Sequence, residues 1–171
     1  LIVSFTGASP WSVLAQGISL KVNLSIGTIT LLISIAVLIL WIPLGQKPGM
    51  GTIFNALIIA LMIDLCIKFV PTPSNYINQL ILAVISVITV GIGGGIYLVS
   101  NLGAGPRDGL MIGLQKVTNL PVALVRAILE ISVVSVGWYL GGTVGAGTLL
   151  FAFGIGPCVA LGLFIVDKLF D

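Results

Sequence analysis

Arg126 and Glu130 stand four residues apart in a stretch that is otherwise almost wholly apolar. That spacing puts a cation and a carboxylate on one face of a helix, within reach of each other. A charge at mid-bilayer costs about 2.5–3.5 kcal/mol on insertion scales, so such groups face protein or a wet path and take partners. A pair of this kind can bind a solute or ion or relay a proton. It can equally neutralise itself and pin two helices together. Asp64 lies four residues before Lys68 in another apolar stretch, as an ion or proton ligand or as half of an interfacial pair. Asn55 follows a Gly-x-Gly-Thr motif ending at Thr52, where it lines a cavity or bridges helices. Arg107 and Asp108 follow Pro106, which suits the first position of a short helix. There Asp108 can cap free N–H groups, and Arg107 can hold an anion or a lipid headgroup beside them. Ordinary capping and interfacial anchoring account for the same two residues.

Other chemistry finds little material. Histidine is absent, and Cys66 and Cys158 both sit in apolar stretches as small buried side chains. No metal site and no cofactor is implied. No nucleophile with a base partner can be assembled, so the chain does not read as an enzyme. Glycine runs at Gly91–Gly95 and Gly141–Gly147 lack the Lys-Ser/Thr ending of a phosphate loop. Close helix contact and tight turns explain them. A net charge of +2 without a basic run argues against nucleic acid.

The elements that must position these residues are dictated by composition. Of 171 residues, 58% are hydrophobic and 7% charged, with a mean hydropathy of +1.25. Soluble domains carry about 25% charged residues, so the main solvent of this chain is the lipid bilayer. Spans of membrane-crossing length are predicted over Leu24–Leu44, Ile53–Val70, from near Tyr76 to Leu102, Leu120–Leu140 and Ala146–Phe170. Pro10–Leu20 and Pro106–Val117 are too short to cross and are predicted as interfacial or re-entrant helices.

A shift of 96 residues lays Gly7-Ala8-Ser9-Pro10 over Gly103-Ala104-Gly105-Pro106. Without a gap, residues 1–65 and 97–161 share 19 identities, including Asn23/Asn119, Leu44/Leu140, Gly49/Gly145, Gly51/Gly147 and Thr52/Thr148. Fixed-period self-similarity of this kind marks repeat architecture. The first repeat covers residues 1–70, residues 71–75 (Pro-Thr-Pro-Ser-Asn) are a linker, and the second repeat covers 76–171. Arg126 and Glu130 then correspond to Thr30 and Ser34, Arg107 to Trp11, and Asp64 to Ala160. Thr30 and Ser34 therefore join the candidate solute or ion site. Trp11 reads as an aromatic anchor at the membrane surface. The counterpart of the span starting near Tyr76 would begin before Leu1, so the first helix is expected to be largely missing from this chain. Three spans per repeat is an odd number, which implies two inverted three-helix repeats. The fold class expected is thus an all-α membrane protein with two inverted repeats and short re-entrant or interfacial helices. Lys47, Arg107, Lys116, Arg126 and Lys168 fall on one side and Lys21 and Lys68 on the other. The excess places the first side, with the C-terminus, in the cytoplasm.

Leu102-Gly-Ala-Gly-Pro-Arg-Asp-Gly-Leu-Met111, with Leu44-Gly-Gln-Lys-Pro-Gly-Met-Gly-Thr52 and the segment Gly137–Gly156, resembles the bacterial YczE/YyaS/YitT-type membrane proteins. The resemblance extends over essentially the whole chain. It implies a multi-pass protein of the bacterial cytoplasmic membrane and no particular activity. It also implies an acidic residue after the first Pro-Trp, where this chain has Ser12. The expected function is a transporter of a small solute or ion, with a homo-oligomer among the assemblies expected. The alternative is a non-transporting scaffold for a biosynthetic or signalling partner, disfavoured by the very short loops.

Overall fold

A computed structural model describes residues 1–170, with side-chain surroundings through Leu169. It is all helical among the described residues. The helices are α1 (Pro10–Val22), α2 (Ile26–Trp41), α3 (Met50–Phe69), α4 (Tyr76–Val99), α5 (Pro106–Thr118), α6 (Val122–Tyr139) and α7 (Ala146–Phe170), preceded by a 3₁₀ turn at Ile2–Ser4. Helices α3, α4, α6 and α7 are long and apolar enough to cross a membrane. They leave large apolar side chains uncovered, as at Phe54, Leu61, Ile81, Ile131 and Phe153. In water such faces would aggregate, whereas lipid is a fitting solvent for them.

The first expected span, Leu24–Leu44, is realised in shortened form. Helix α2 has 16 residues and rises about 24 Å, less than the ~30 Å hydrocarbon core. Ser25 starts it by accepting the Thr28 N–H at 3.1 Å. Pro43, without an N–H, stands just beyond its last residue. Together α1 and α2 form a pair bent by 114°, the geometry of a broken span or a re-entrant loop.

The chain divides into two compact units that cut across the repeat boundary. One comprises residues 1–9, Phe69–Asn101 and the chain from Thr143. Its main packing is α4 against α7. A Cβ on Gly95 would come within 2.6 Å of the Val159 carbonyl, and one on Gly162 within 2.6 Å of the Ile92 carbonyl. Backbones this close require small residues at the crossing.

The other unit comprises Pro10–Lys68 and Leu102–Gly142. Here α1 packs on α6 and on α2, and α5 on α2 and on α6. Val37, Trp41 and Leu110 form its core cluster, with Trp11, Ile33 and Leu129 around them. Gly17 and Gly137 let α1 and α6 approach, since a Cβ on either would come within 2.5 Å of the facing backbone.

Backbone conformation follows the 96-residue shift closely. Among the described residues eight have positive φ, and they form four pairs at that offset. Phe5 (56°) pairs with Asn101 (50°), Gly7 (113°) with Gly103 (117°), Asn23 (54°) with Asn119 (55°), and Gly45 (64°) with Gly141 (100°). The left-handed region favours glycine and tolerates asparagine, so these residue types are what the turns need. Hydrogen bonds repeat as well. Gly51 N–H donates to Leu102 O at 2.9 Å, and Gly147 N–H donates to Thr6 O at 2.8 Å. Each Gly-x-Gly-Thr motif therefore grips the Gly-Ala-x-Pro segment of the other repeat.

Candidate functional site

The start of α5 is held from two sides. Thr52, wholly buried, donates its hydroxyl to Ala104 O at 2.6 Å. The same Oγ1 accepts the Gly49 N–H at 3.2 Å. On the other side the Trp41 indole lies in the space left by Gly109, and its Nε1–H donates to Pro106 O at 2.9 Å. Gly105 is the N-cap and supplies no side-chain cap. The residues that follow Pro106 are thus carried on a rigidly fixed turn.

Polar side chains converge on the bare α-carbon of Gly105. A Cβ there would lie 3.1 Å from Asp108 Oδ2 and 3.5 Å from Asn55 Oδ1. The Arg107 guanidinium lies over the Trp11 ring, 5.4 Å from its centroid. At that distance the ring face attracts the cation. Among the described residues, Asn55, Arg107 and Asp108 take no side-chain hydrogen bond or ion pair. Among residues that are not exposed, every fully buried polar side-chain atom has a partner, and Asp108 itself is exposed.

Burial pushes the Arg107 guanidinium down to about 10, against the opposing pull of the Asp108 and Glu130 carboxylates. Burial raises Asp108, and Arg107 and Arg126 partly offset that rise. Asp108 remains accessible to a water-sized sphere while protein crowds it on its other sides. A carboxylate in that setting loses much of its hydration without being sealed off.

Arg126 and Glu130 form the ion pair their spacing predicts, with Nε to Oε1 at 2.9 Å. Their side chains are 40% and 23% exposed, and pairing neutralises two charges on a helix of membrane-crossing length. The pair's field nevertheless reaches Arg107 and Asp108. The same unit therefore gathers Arg107, Asp108, Arg126, Glu130 and Asn55.

The remaining sequence candidates have their polar atoms committed. Asp64 accepts the Gly27 N–H at 2.8 Å and the Ser25 hydroxyl at 2.6 Å. It thereby caps α2 from α3, where a negative charge suits the helix dipole. Thr30 and Ser34 donate back to Ile26 O and Thr30 O, both at 2.8 Å, on their own helix. Sequence reasoning missed the roles of Trp41 and Thr52 and the contact between Trp11 and Arg107. The signal for Trp11 was the repeat itself, because Trp11 and Arg107 are counterparts that touch. An apolar groove lined by Val70, Pro71, Pro73 and Ile81 holds none of these residues.

Residues 1–163 match a family described as "Family of unknown function (DUF6198)". The chain belongs to this family of bacterial membrane proteins. An "Uncharacterized protein" of Haemophilus influenzae is 42% identical over 169 residues, covering 99% of this chain and 78% of the relative. "Uncharacterized membrane protein YczE" of Bacillus subtilis is 31% identical over 148 residues, covering 85% of this chain and 68% of the relative. "Uncharacterized protein YyaS" of the same organism is 29% identical over 154 residues, covering 87% and 76%. No solved structure matches. Membership agrees with the resemblance read from the Gly-Ala-Gly-Pro-Arg-Asp segment and with the apolar helices.

Proposed function

We propose that the protein is a small-solute carrier of the bacterial inner membrane, built from inverted repeats with the C-terminus in the cytoplasm. The observation that carries this reading is the set of uncommitted polar side chains at Gly105 in a chain that is 7% charged. So few charges in an apolar chain make a half-buried arginine and an exposed aspartate with free polar atoms a natural place for a solute. The contact between the repeat counterparts Trp11 and Arg107 supports the same reading. Residues related by a pseudo-two-fold meet only near its axis, and carriers of this architecture bind at the repeat interface. The broken α1–α2 pair supplies irregular backbone of the kind that lines such sites.

The test is uptake by purified protein in liposomes across a panel of amino acids, organic acids, amines and inorganic ions, with and without a proton gradient. Saturable uptake of at least one solute is expected. Arg107→Gln and Asp108→Asn should each lower its rate by about tenfold, the loss of one charge-assisted contact. No uptake in any condition, from protein shown to be folded, would sink the carrier reading. Co-purification of a stoichiometric soluble partner with uptake absent would replace it with the scaffold.

A further inference from the structure

The site at Gly105 is balanced in charge. Arg107 and Asp108 on α5 feel the field of Arg126 and Glu130 on α6, two cations against two carboxylates. One cation and one carboxylate close on each other, in the Arg126–Glu130 pair at 2.9 Å. What remains is one guanidinium and one carboxylate, with no ion pair between them. Their adjacency in α5 explains this, because consecutive residues on a helix point about 100° apart and do not face each other. Arg107 is held over Trp11 and keeps its fork of N–H donors uncommitted. Asp108 turns an oxygen toward Gly105, where Asn55 places its side-chain amide beside it.

Arg107 and Asp108 offset each other, so an anion on Arg107 alone would add a negative charge beside the Asp108 carboxylate. A cation on Asp108 alone would add a positive charge beside Arg107. In a setting that already disfavours both charges, either outcome is costly. A solute carrying both signs satisfies both residues and leaves the site neutral. We propose that the Gly105 site takes a small zwitterion, with its acidic group on Arg107 and its basic group on Asp108. This rests on the carrier reading and names the class of solute. Asn55 serves either group, since an amide both donates and accepts.

The set is drawn from both repeats, with Gly105, Arg107 and Asp108 from the second and Asn55 from the first, and it occurs once. The first has Ser9, Trp11 and Ser12 at the positions of Gly105, Arg107 and Asp108, and Phe151 stands at the position of Asn55. One solute site per chain is therefore expected, with a stoichiometry of one.

The experiment is calorimetric titration of the full chain in lipid nanodiscs with matched triplets. Each triplet is an amino acid, its deaminated acid and its decarboxylated amine, as in alanine, propionate and ethylamine. The expected result is that at least one amino acid binds wild-type protein at one site at least tenfold more tightly than either partner of its triplet. Asp108→Asn should then shift the preference toward the acid, and Arg107→Gln toward the amine. These opposite shifts need folded protein and cannot arise from a general loss of structure. The proposal is overturned if the acid or the amine alone binds wild-type protein as well as the amino acid. It is also overturned if either variant keeps the wild-type order of preference. Saturable uptake of an inorganic ion or of a simple acid or amine in liposomes, with no zwitterion bound, would discard the solute class and keep the carrier. No binding and no uptake would discard both.

Discussion

The two Gly-Ala-x-Pro segments share a backbone and differ in what they carry. Gly7 and Gly103 have φ of 113° and 117°. Each segment is gripped through the same N–H of a Gly-x-Gly-Thr motif, Gly147 for the first and Gly51 for the second. Beyond the proline they part. The first continues Trp11-Ser12 and the second Arg107-Asp108. At the position before the proline, Ser9 is buried, whereas Gly105 leaves its α-carbon bare to Asp108 and Asn55. The shared residues include those whose backbone needs them, and the differing residues are those on which the proposed site rests. On that proposal one copy keeps the framework as structure and the other supplies the charged binding groups.

A second contrast concerns the helix crossings. Trp41 fills the space above Gly109, while the counterpart crossing sets Gly137 against the backbone of Leu14. Large and small have exchanged places between the copies, since Trp41 corresponds to Gly137 and Val13 to Gly109. Breaking the first crossing should have the largest effect. Trp41→Ala should cost about 3–5 kcal/mol, read from unfolding in detergent, because it empties a core and removes the bond to Pro106. Gly137→Ala should cost about 1–3 kcal/mol in the same assay through overpacking, with Leu14 N 2.5 Å from the new Cβ.

The two grips should behave alike if the framework is truly shared. Thr52→Val should lose about 1–3 kcal/mol, since it strips a partner from both the Gly49 N–H and Ala104 O, and Thr148→Val about 1 kcal/mol through the Gly145 N–H. A loss confined to one of them would break the equivalence. Asp64→Asn should cost about 1 kcal/mol as a weakened cap of α2. Ala160, at the matching position, makes no such cap, which sharpens the assignment of Asp64 to structure. The mildest test is pH. The raised Asp108 must be ionised to hold a basic group, so solute binding should fall on acidification, at a pH above that at which a free aspartate titrates. On the alkaline side Arg107 keeps its charge and sets no limb of its own.

Much of this was legible in the sequence. Gly7, Gly45 and Asn23 recur at 96 residues because their turns have positive φ, a local demand, whereas Gly17, Gly49 and Gly51 recur where distant chain approaches closely. The membrane class was legible because charge is so scarce. Arg126 and Glu130 were legible because a helix alone brings i and i+4 together. Contacts across long separations were not. Nothing in local spacing ties Asp64 to Gly27, or Trp41 to Pro106, 65 residues away. Hydroxyls were ambiguous for another reason. Thr30 and Ser34 can face a site or bond back to their own helix, and only packing decides between the two.

The most direct test exchanges the side chain that stands before the proline in the two copies. Gly105→Ser would place a side chain where Asp108 and Asn55 converge, at a φ of −59° that serine adopts without strain. Ser9→Gly makes the opposite change in the other segment. Uptake of the amino-acid panel into liposomes should fall by about tenfold or more in Gly105→Ser and stay within about twofold in Ser9→Gly, with folded protein in both. Equal uptake by the two variants, or loss in Ser9→Gly alone, would contradict the assignment of the site to the second segment.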